Sequence, residues 1–228
     1  MRHWAFNLEG KSVTQEIDHL FSPTGFLDAS WFRRTYWIYG RTYVSGAQGW
    51  ARTGNARPSG RIMSIDDECL YGFGRDYYPP SPGNGHQMYL AGERERLYAA
   101  EMPPSSPVLD SPATAPRSKP TEGTDEQLLW STPGDIQVRG MLLAGEGTEK
   151  RLFINGAKGD WVTSPEAYEG ILGSVLRVVS IEDGAILAEY DLPGLTVFDG
   201  MSAAGGKLYI SLVDGRLLCL GEDVVEDM

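Results

Sequence analysis

The chain contains, at residues 207–221, the stretch Lys207-Leu208-Tyr209-Ile210-Ser211-Leu212-Val213-Asp214-Gly215-Arg216-Leu217-Leu218-Cys219-Leu220-Gly221, in which two apolar segments flank an Asp-Gly pair. Asp-Gly supplies the positive φ angles of a type I′ turn, so this stretch predicts an antiparallel β-hairpin. The segments 176–181 and 186–192 flank Glu182-Asp183-Gly184 and predict a second hairpin. A short helical turn is predicted at 168–172, after Ser164-Pro165-Glu166.

The hairpin unit is repeated along the chain. At an offset of 60 residues, Pro193-Gly194, Gly200-Met201 and Ala204-Gly205 match Pro133-Gly134, Gly140-Met141 and Ala144-Gly145. A weaker third copy at 64–74 aligns with either 211–221 or 177–183. Consecutive hairpins at a spacing of about 50–60 residues are typical of propeller blades. The predicted fold is all-β: about three four-stranded antiparallel blades, forming one partial propeller domain over 1–228 that belongs to a larger ring.

Composition and charge exclude several classes of function. The chain has 228 residues, 41% of them hydrophobic, and a formal net charge of -11. Such an acidic surface repels a phosphate backbone and an anionic lipid surface, so neither nucleic acid nor a membrane is the expected partner. No apolar segment has the length of a membrane-spanning helix, and the N-terminus has no signal-peptide pattern.

Two segments differ from the rest of the chain. Residues 101–135 hold seven prolines, each of which lacks a backbone donor, and the segment is therefore predicted to be an irregular surface loop. An interdomain linker is the alternative, although the repeat spans both of its sides. The last residues, 222–228, hold four carboxylates and predict a solvated acidic tail.

The repeat resembles that of PQQ-like, quinoprotein-type β-propellers, in which a Gly-Gly turn, a Leu-Tyr strand and an Asp-Gly turn follow one another. The segments 19–41, 58–75 and 197–221 are similar to the C-terminal part of a group of bacterial proteins of this type, whose function is uncharacterised. The resemblance implies a longer, exported parent with further blades. Met1 is then an internal methionine.

The family's quinone-binding features do not carry over to this chain. The tryptophan-docking repeats of the family are missing from this chain, since the segment that comes nearest to them, 180–187, has no tryptophan. Cys69 and Cys219 are far apart in sequence and cannot form the vicinal disulfide of those enzymes. No cofactor is therefore predicted, and PQQ remains an implication of the resemblance alone. The three histidines lack metal-ligand spacing, and there is no Gly-x-Ser-x-Gly elbow. Neither catalytic residues nor metal ligands are predicted.

Charged and aromatic residues near the predicted inner strands are the candidate ligand-binding residues. An arginine between aromatic rings can stack on them or bind an anion. Asp199 and Arg139 occupy corresponding places in the repeat, and Asp28 holds a similar one. The alternative is an Asp–Arg ring that keeps the blades in register. The candidate set is Asp28, Trp31, Arg33, Arg34, Trp37, Arg139 and Asp199.

These observations favour a non-enzymatic binding or scaffold module that holds a protein or carbohydrate partner. The alternative is a quinoprotein-like oxidoreductase or a hydrolase domain whose catalytic residues lie largely on blades outside this chain, or around Asp28, Arg33, Arg34 and Asp199. Open blade edges also predict self-association of the isolated chain.

Overall fold

The computed structural model describes residues 7–12, 19–21, 37–40, 59–75, 95–102, 128–160 and 164–221. These residues form antiparallel sheets of three or four strands, so the all-β prediction is confirmed. The chain divides into two compact units, 1–133 and 134–228, which are described separately below. No helix among the described residues has the length and apolarity needed to cross a membrane.

The described part of the first unit contains two sheets. The three-stranded sheet has the order β1 (His19–Phe21), β2 (Trp37–Gly40) and β3 (Ser59–Gly60). The four-stranded sheet has the order β4 (Ile62–Ile65), β5 (Cys69–Arg75), β6 (Glu95–Glu101) and β7 (Leu128–Pro133). Tyr39, Leu70 and Tyr98 form a buried cluster that joins the two sheets. Arg61 and Glu95 form a buried ion pair in the same unit.

The second unit also contains two sheets. Its four-stranded sheet has the order β8 (Ile136–Ala144), β9 (Arg151–Lys158), β10 (Ser174–Val179) and β11 (Ile186–Leu192). Its three-stranded sheet has the order β12 (Thr196–Ala204), β13 (Lys207–Leu212) and β14 (Leu217–Leu220). A 3-10 turn (Gly147–Glu149) precedes β9, and a short helix, α1 (Pro165–Tyr168), lies between β9 and β10. The predicted helical turn is thus present, but its helix begins at Pro165 rather than at Tyr168.

The two sheets of the second unit pack face to face around aliphatic side chains. Leu176 from β10 and Leu208, Ile210 and Leu212 from β13 are buried there, and Phe153 packs against them. These β13 residues alternate with more exposed ones, which is the period-2 pattern of a strand with one buried face.

The internal repeat corresponds to a repeated piece of backbone. The hairpins β8–β9 and β12–β13 are the first two strands of their sheets. Both have a break in register at the matching place, between Val138 and Gly140 in β8 and between Thr196 and Met201 in β12. Such a break is a β-bulge, in which extra residues on one strand have no opposite partner. The bulge in β8 contains one residue, Arg139, whereas four residues lie between Thr196 and Met201 in β12, so the repeats share the strand order and the place of the break but not its length.

Both predicted hairpins are present, but the type I′ turn predicted at Asp214-Gly215 is wrong. A type I′ turn needs positive φ at both central residues, and only Gly215 has it here, at 89°. The Gly215 N–H donates to the Leu212 carbonyl at 3.1 Å, and the Leu212 N–H donates to the Arg216 carbonyl at 2.8 Å. The loop consequently spans 213–215 and combines a type I turn with a glycine bulge.

Part of the proline-rich segment 101–135, which was predicted to be an irregular loop, is a strand. Strand β7 occupies 128–133 and pairs with β6, which includes Glu101. The prolines before residue 121 do not fall in β7, and Pro133 ends it, where a missing donor is tolerated. Residues 103–127 lie outside the described residues and separate two strands, β6 and β7, that pair in one sheet. The predicted acidic tail, 222–228, lies outside the described residues.

Candidate functional site

The structure describes three of the seven candidate residues. Asp28, Trp31, Arg33 and Arg34 lie outside the described residues. Trp37 is half-buried at the start of β2 in the first unit. Arg139 and Asp199 lie in the second unit, in the bulges of β8 and β12, and these two strands run close to each other. The structure therefore brings this pair into one region.

Arg139 is a buried cation held by neutral groups. Its Nε donates to Oε1 of Gln137 at 2.9 Å, and its Nη1 donates to the Thr196 carbonyl at 3.2 Å. Its Nη2 donates to the Tyr168 carbonyl at the end of α1 at 2.8 Å. The guanidinium also lies over the Phe198 ring, with Cζ 4.5 Å from the centroid, a favourable cation–π distance. These contacts join β8, α1 and β12.

The charge on Arg139 is not neutralised by a carboxylate in the described part of the chain. Only 6% of the residue is exposed, and burial lowers its pKa below that of a free arginine. Two of its neighbours also have unmet hydrogen-bonding groups, since Nε2 of Gln137 and Oγ1 of Thr196 are buried without a partner. We call Gln137, Arg139 and Thr196 the Arg139 cluster. It concentrates donors and positive charge in one buried place.

Asp199 does not supply the missing charge. Its backbone is left-handed, with φ at 55°, a conformation in which asparagine and aspartate are tolerated better than most residues. The residue is exposed, although the surrounding protein raises the pKa of its carboxyl group by desolvation. Among the described residues, it forms neither a hydrogen bond nor an ion pair. Asp199 and Arg139 thus correspond in the repeat but do not pair with each other.

Arg177 forms a cluster of ion pairs that the sequence did not reveal. Its guanidinium contacts Asp135, which precedes β8, and Glu189 in β11. The Arg177 guanidinium holds the pKa of Asp135 below its usual value. Arg177 and Glu189 are directly opposite each other in the β10–β11 register. Aligning the two strands of this predicted hairpin could therefore have indicated the ion pair between them.

A cleft of about 1150 Å³ opens between the two sheets of the second unit. The four-stranded sheet contributes Phe153, Val178 and Tyr190 to its wall. The three-stranded sheet contributes Leu208, Leu218 and Leu220. Most of this lining is apolar, so the cleft continues the buried layer between the sheets out to solvent.

The cleft exists because the two sheets have unequal numbers of strands. Tyr190 lies opposite Leu176 in the β10–β11 register and therefore shares the inner face of its sheet. It is nevertheless 56% exposed, because the second sheet ends at β14 and has no fourth strand among the described residues to cover it. Leu220 of β14 is 37% exposed for the same reason. The repeat alone did not predict this difference in strand number.

The described residues do not contain a group of three or more His, Cys, Asp or Glu side chains placed to hold a metal ion. Cys69 and Cys219 are free thiols.

Comparison with known proteins does not assign a family. No protein-family model matches the chain, and no curated protein matches it.

Proposed function

We propose that the chain is part of a PQQ-like β-propeller and acts as a non-enzymatic binding module that holds a protein partner. Three features of the second unit support the propeller arrangement. Each sheet is a meander whose strands pair in sequence order, the first strands β8 and β12 lie near each other, and the sheets pack face to face. Stacked meanders of this kind are how propeller blades bury their faces.

The observation that carries the binding function is the three-stranded sheet beside the cleft, which has no fourth strand among the described residues. The repeat makes β8, β9 and β10 equivalent to β12, β13 and β14, so the position equivalent to β11 lies next to β14. An edge strand presents a row of unpaired backbone donors and acceptors. The proposed partner is an extended protein segment that pairs with β14 and fills the cleft with its apolar side chains.

The chemistry of the cleft favours a peptide over a carbohydrate. Strand addition derives its affinity from backbone hydrogen bonds and its specificity from pockets for alternate side chains. Tyr190 and Leu220 provide exposed apolar surface where those side chains would lie. A strand with apolar residues at every second position therefore fits this site.

The experiment uses a peptide with the sequence of β11, Ile-Leu-Ala-Glu-Tyr-Asp-Leu, because β11 occupies the equivalent position in the neighbouring sheet. We expect saturable binding in a calorimetric titration and slower hydrogen exchange at the amides of 217–220. The control peptide has the same side chains but N-methylated amides on its pairing edge. It is expected not to bind, because it cannot donate to the edge of β14.

Matched variants locate the binding site. Leu220→Asp places a charge in the cleft and should weaken peptide binding at least tenfold. Leu187→Asp makes the same change at an exposed leucine of β11 that does not line the cleft, and should leave binding unchanged. Equal binding by both variants, or binding of an oligosaccharide in place of the peptide, would overturn the proposal. A dimer in light scattering that Leu220→Asp dissociates would also overturn it, by assigning the edge to a second copy of the chain.

A further inference from the structure

We infer that the Arg139 cluster is a binding site for a small anion of the carboxylate class. This inference does not depend on the peptide site, because no residue of the Arg139 cluster lines the cleft. It rests on unpaired polar groups that belong to two residues in contact with one buried cation.

The first argument concerns charge. Moving a cation out of water is strongly unfavourable unless an opposite charge or strong hydrogen bonds compensate for the lost hydration. The carbonyls of Thr196 and Tyr168 and the Phe198 ring stabilise the Arg139 guanidinium as dipoles, but they leave its unit charge in place. A bound anion neutralises that charge.

The second argument concerns hydrogen bonds. Gln137 and Thr196 each contact Arg139 through one polar group, and each has a second polar group that is buried and unpaired. They are 1% and 0% exposed. A buried polar atom without a partner is destabilising, so two such atoms in residues that contact one cation need an explanation.

The third argument identifies the class of ligand. An arginine has five N–H groups, and the contacts described above use three of them. Two N–H groups of Arg139, the Gln137 amide N–H groups and the Thr196 hydroxyl are thus available as donors, and the only charge among them is the positive charge of the guanidinium. A carboxylate accepts several hydrogen bonds and pairs well with guanidinium geometry. A water molecule satisfies the donors but not the charge.

The size of the ligand follows from burial. Arg139 is 6% exposed, so the proposed ligand is a small anion of the size of formate or acetate. The carboxylate belongs either to a small metabolite or to the end of a peptide chain. These two sources share the same recognition chemistry.

The experiment is an acetate titration of the folded protein, followed through the Arg139 Nε–H resonance and through the melting temperature. We expect a saturable shift with acetate and none with acetamide, which has the same shape without the charge. Thr196→Val removes only a hydroxyl and should weaken acetate binding about tenfold, because hydrogen bonds to charged groups are the stronger ones. Arg139→Met should abolish the saturable rise in melting temperature.

Arg151→Met is the matched control for the loss of an arginine. The Arg151 guanidinium is also held by backbone carbonyls, those of Thr148 and Lys150, but it lies at a more exposed place. This variant should bind acetate like the parent protein. A stabilisation that is equal in all variants, or that acetamide reproduces, would be a general solvent effect and would overturn the inference.

Two further probes distinguish the sources of the carboxylate. N-acetylglycine carries the carboxylate of a chain terminus, and N-acetylglycinamide lacks it. Tighter binding of N-acetylglycine than of acetate would assign the site to a peptide terminus. Tighter binding of acetate would assign it to a small molecule. If Arg139→Met does not fold, Thr196→Val alone decides, since unchanged acetate affinity in that variant contradicts the proposed site.

Discussion

The Arg177 guanidinium donates two parallel hydrogen bonds to the Asp135 carboxylate, from Nη1 to Oδ1 at 2.5 Å and from Nη2 to Oδ2 at 2.8 Å. The same guanidinium donates through Nε to Glu189 at 2.6 Å. One side chain of β10 therefore fixes the residue before β8 and the middle of β11. Bidentate pairs of this kind have defined geometry as well as charge attraction.

Asp135→Asn should lower the stability of the second unit by about 0.5–1 kcal/mol at pH 7, a modest loss because the Asp135 side chain is 65% exposed and solvent screens the pair. Arg177 lowers the folded-state pKa of Asp135, so the unfolded state binds protons more readily. This stabilisation is present above the ordinary carboxyl pKa of about 4 and is lost as the pH falls through the folded-state pKa. Urea unfolding at a series of pH values measures it.

The control for Asp135 is Asp191→Asn. Asp191 pairs with Lys158 at the surface, where its side chain is 79% exposed, and its loss should change stability by less than about 0.5 kcal/mol. Equal losses in the two variants would show that the bidentate geometry contributes nothing.

Gly156→Ala should destabilise the second unit by about 3 kcal/mol or more, or prevent its folding. Gly156 lies in the middle of β9, and a Cβ atom there would overlap the backbone carbonyl of Gln137. Backbone cannot rotate away as a side chain can, so strands β8 and β9 would have to separate. Thermal unfolding followed by circular dichroism provides the measurement.

Gly221→Ala makes the same substitution beside a flexible neighbour. The added Cβ would meet the side chain of Lys207, which has room to move, and its expected effect is within about 0.5 kcal/mol. A Gly156→Ala variant as stable as Gly221→Ala would contradict the close strand approach.

Asp199→Gly should raise stability by about 0.5–1 kcal/mol, since glycine relieves the left-handed strain at φ 55°. Asp199→Val should lower stability by at least about 1 kcal/mol, because a β-branched side chain tolerates this conformation poorly. Asp183→Gly is the control, because Asp183 has no positive φ and accepts a hydrogen bond from the Ala185 N–H at 3.1 Å. It should be slightly destabilising. If Asp199→Val is as stable as the parent protein, the backbone at Asp199 is not strained.

Cys219 should react with iodoacetamide at least tenfold faster than Cys69 at pH 8. Cys219 is exposed, whereas desolvation raises the pKa of the half-buried Cys69 and leaves less of the reactive thiolate. Mass spectrometry of peptides after timed alkylation gives both rates in one sample. In 6 M urea the alkylation rates of the two cysteines should converge. A difference that persists in urea would show that neighbouring residues in the sequence, and not burial, cause the difference in reactivity.

The hairpins were predictable because their signals are local. Alternating apolar residues and the Asp-Gly pair specify β13 and β14 from within fifteen residues of sequence. The turn type was missed because a glycine bulge and a type I′ turn use the same dipeptide. Strand β7 was missed because prolines dominate its surroundings, and its pairing depends on β6, which lies across the loop.

The candidate site was only partly predictable. The repeat correctly placed Arg139 and Asp199 at equivalent positions, but their different burial depends on what packs over each bulge. Gln137 and Thr196 lie almost sixty residues apart, and no spacing rule relates them. The cleft follows from the number of strands in each sheet, which is a property of the assembled unit.

The meander order of the strands has a consequence for how the second unit folds. Apart from the connection that holds α1, its successive strands are separated by two to six residues, so most pairings close short loops. Short loop closures are fast and favour sequential zipping of hairpins over a search for distant partners. As the chain leaves the ribosome, the strands β9, β10, β11, β13 and β14 each follow the strand with which they pair, whereas β8 and β12 each begin a new sheet. Among the described strands of the second unit, β14 is the last in sequence, and it adds to a sheet that β12 and β13 have already begun.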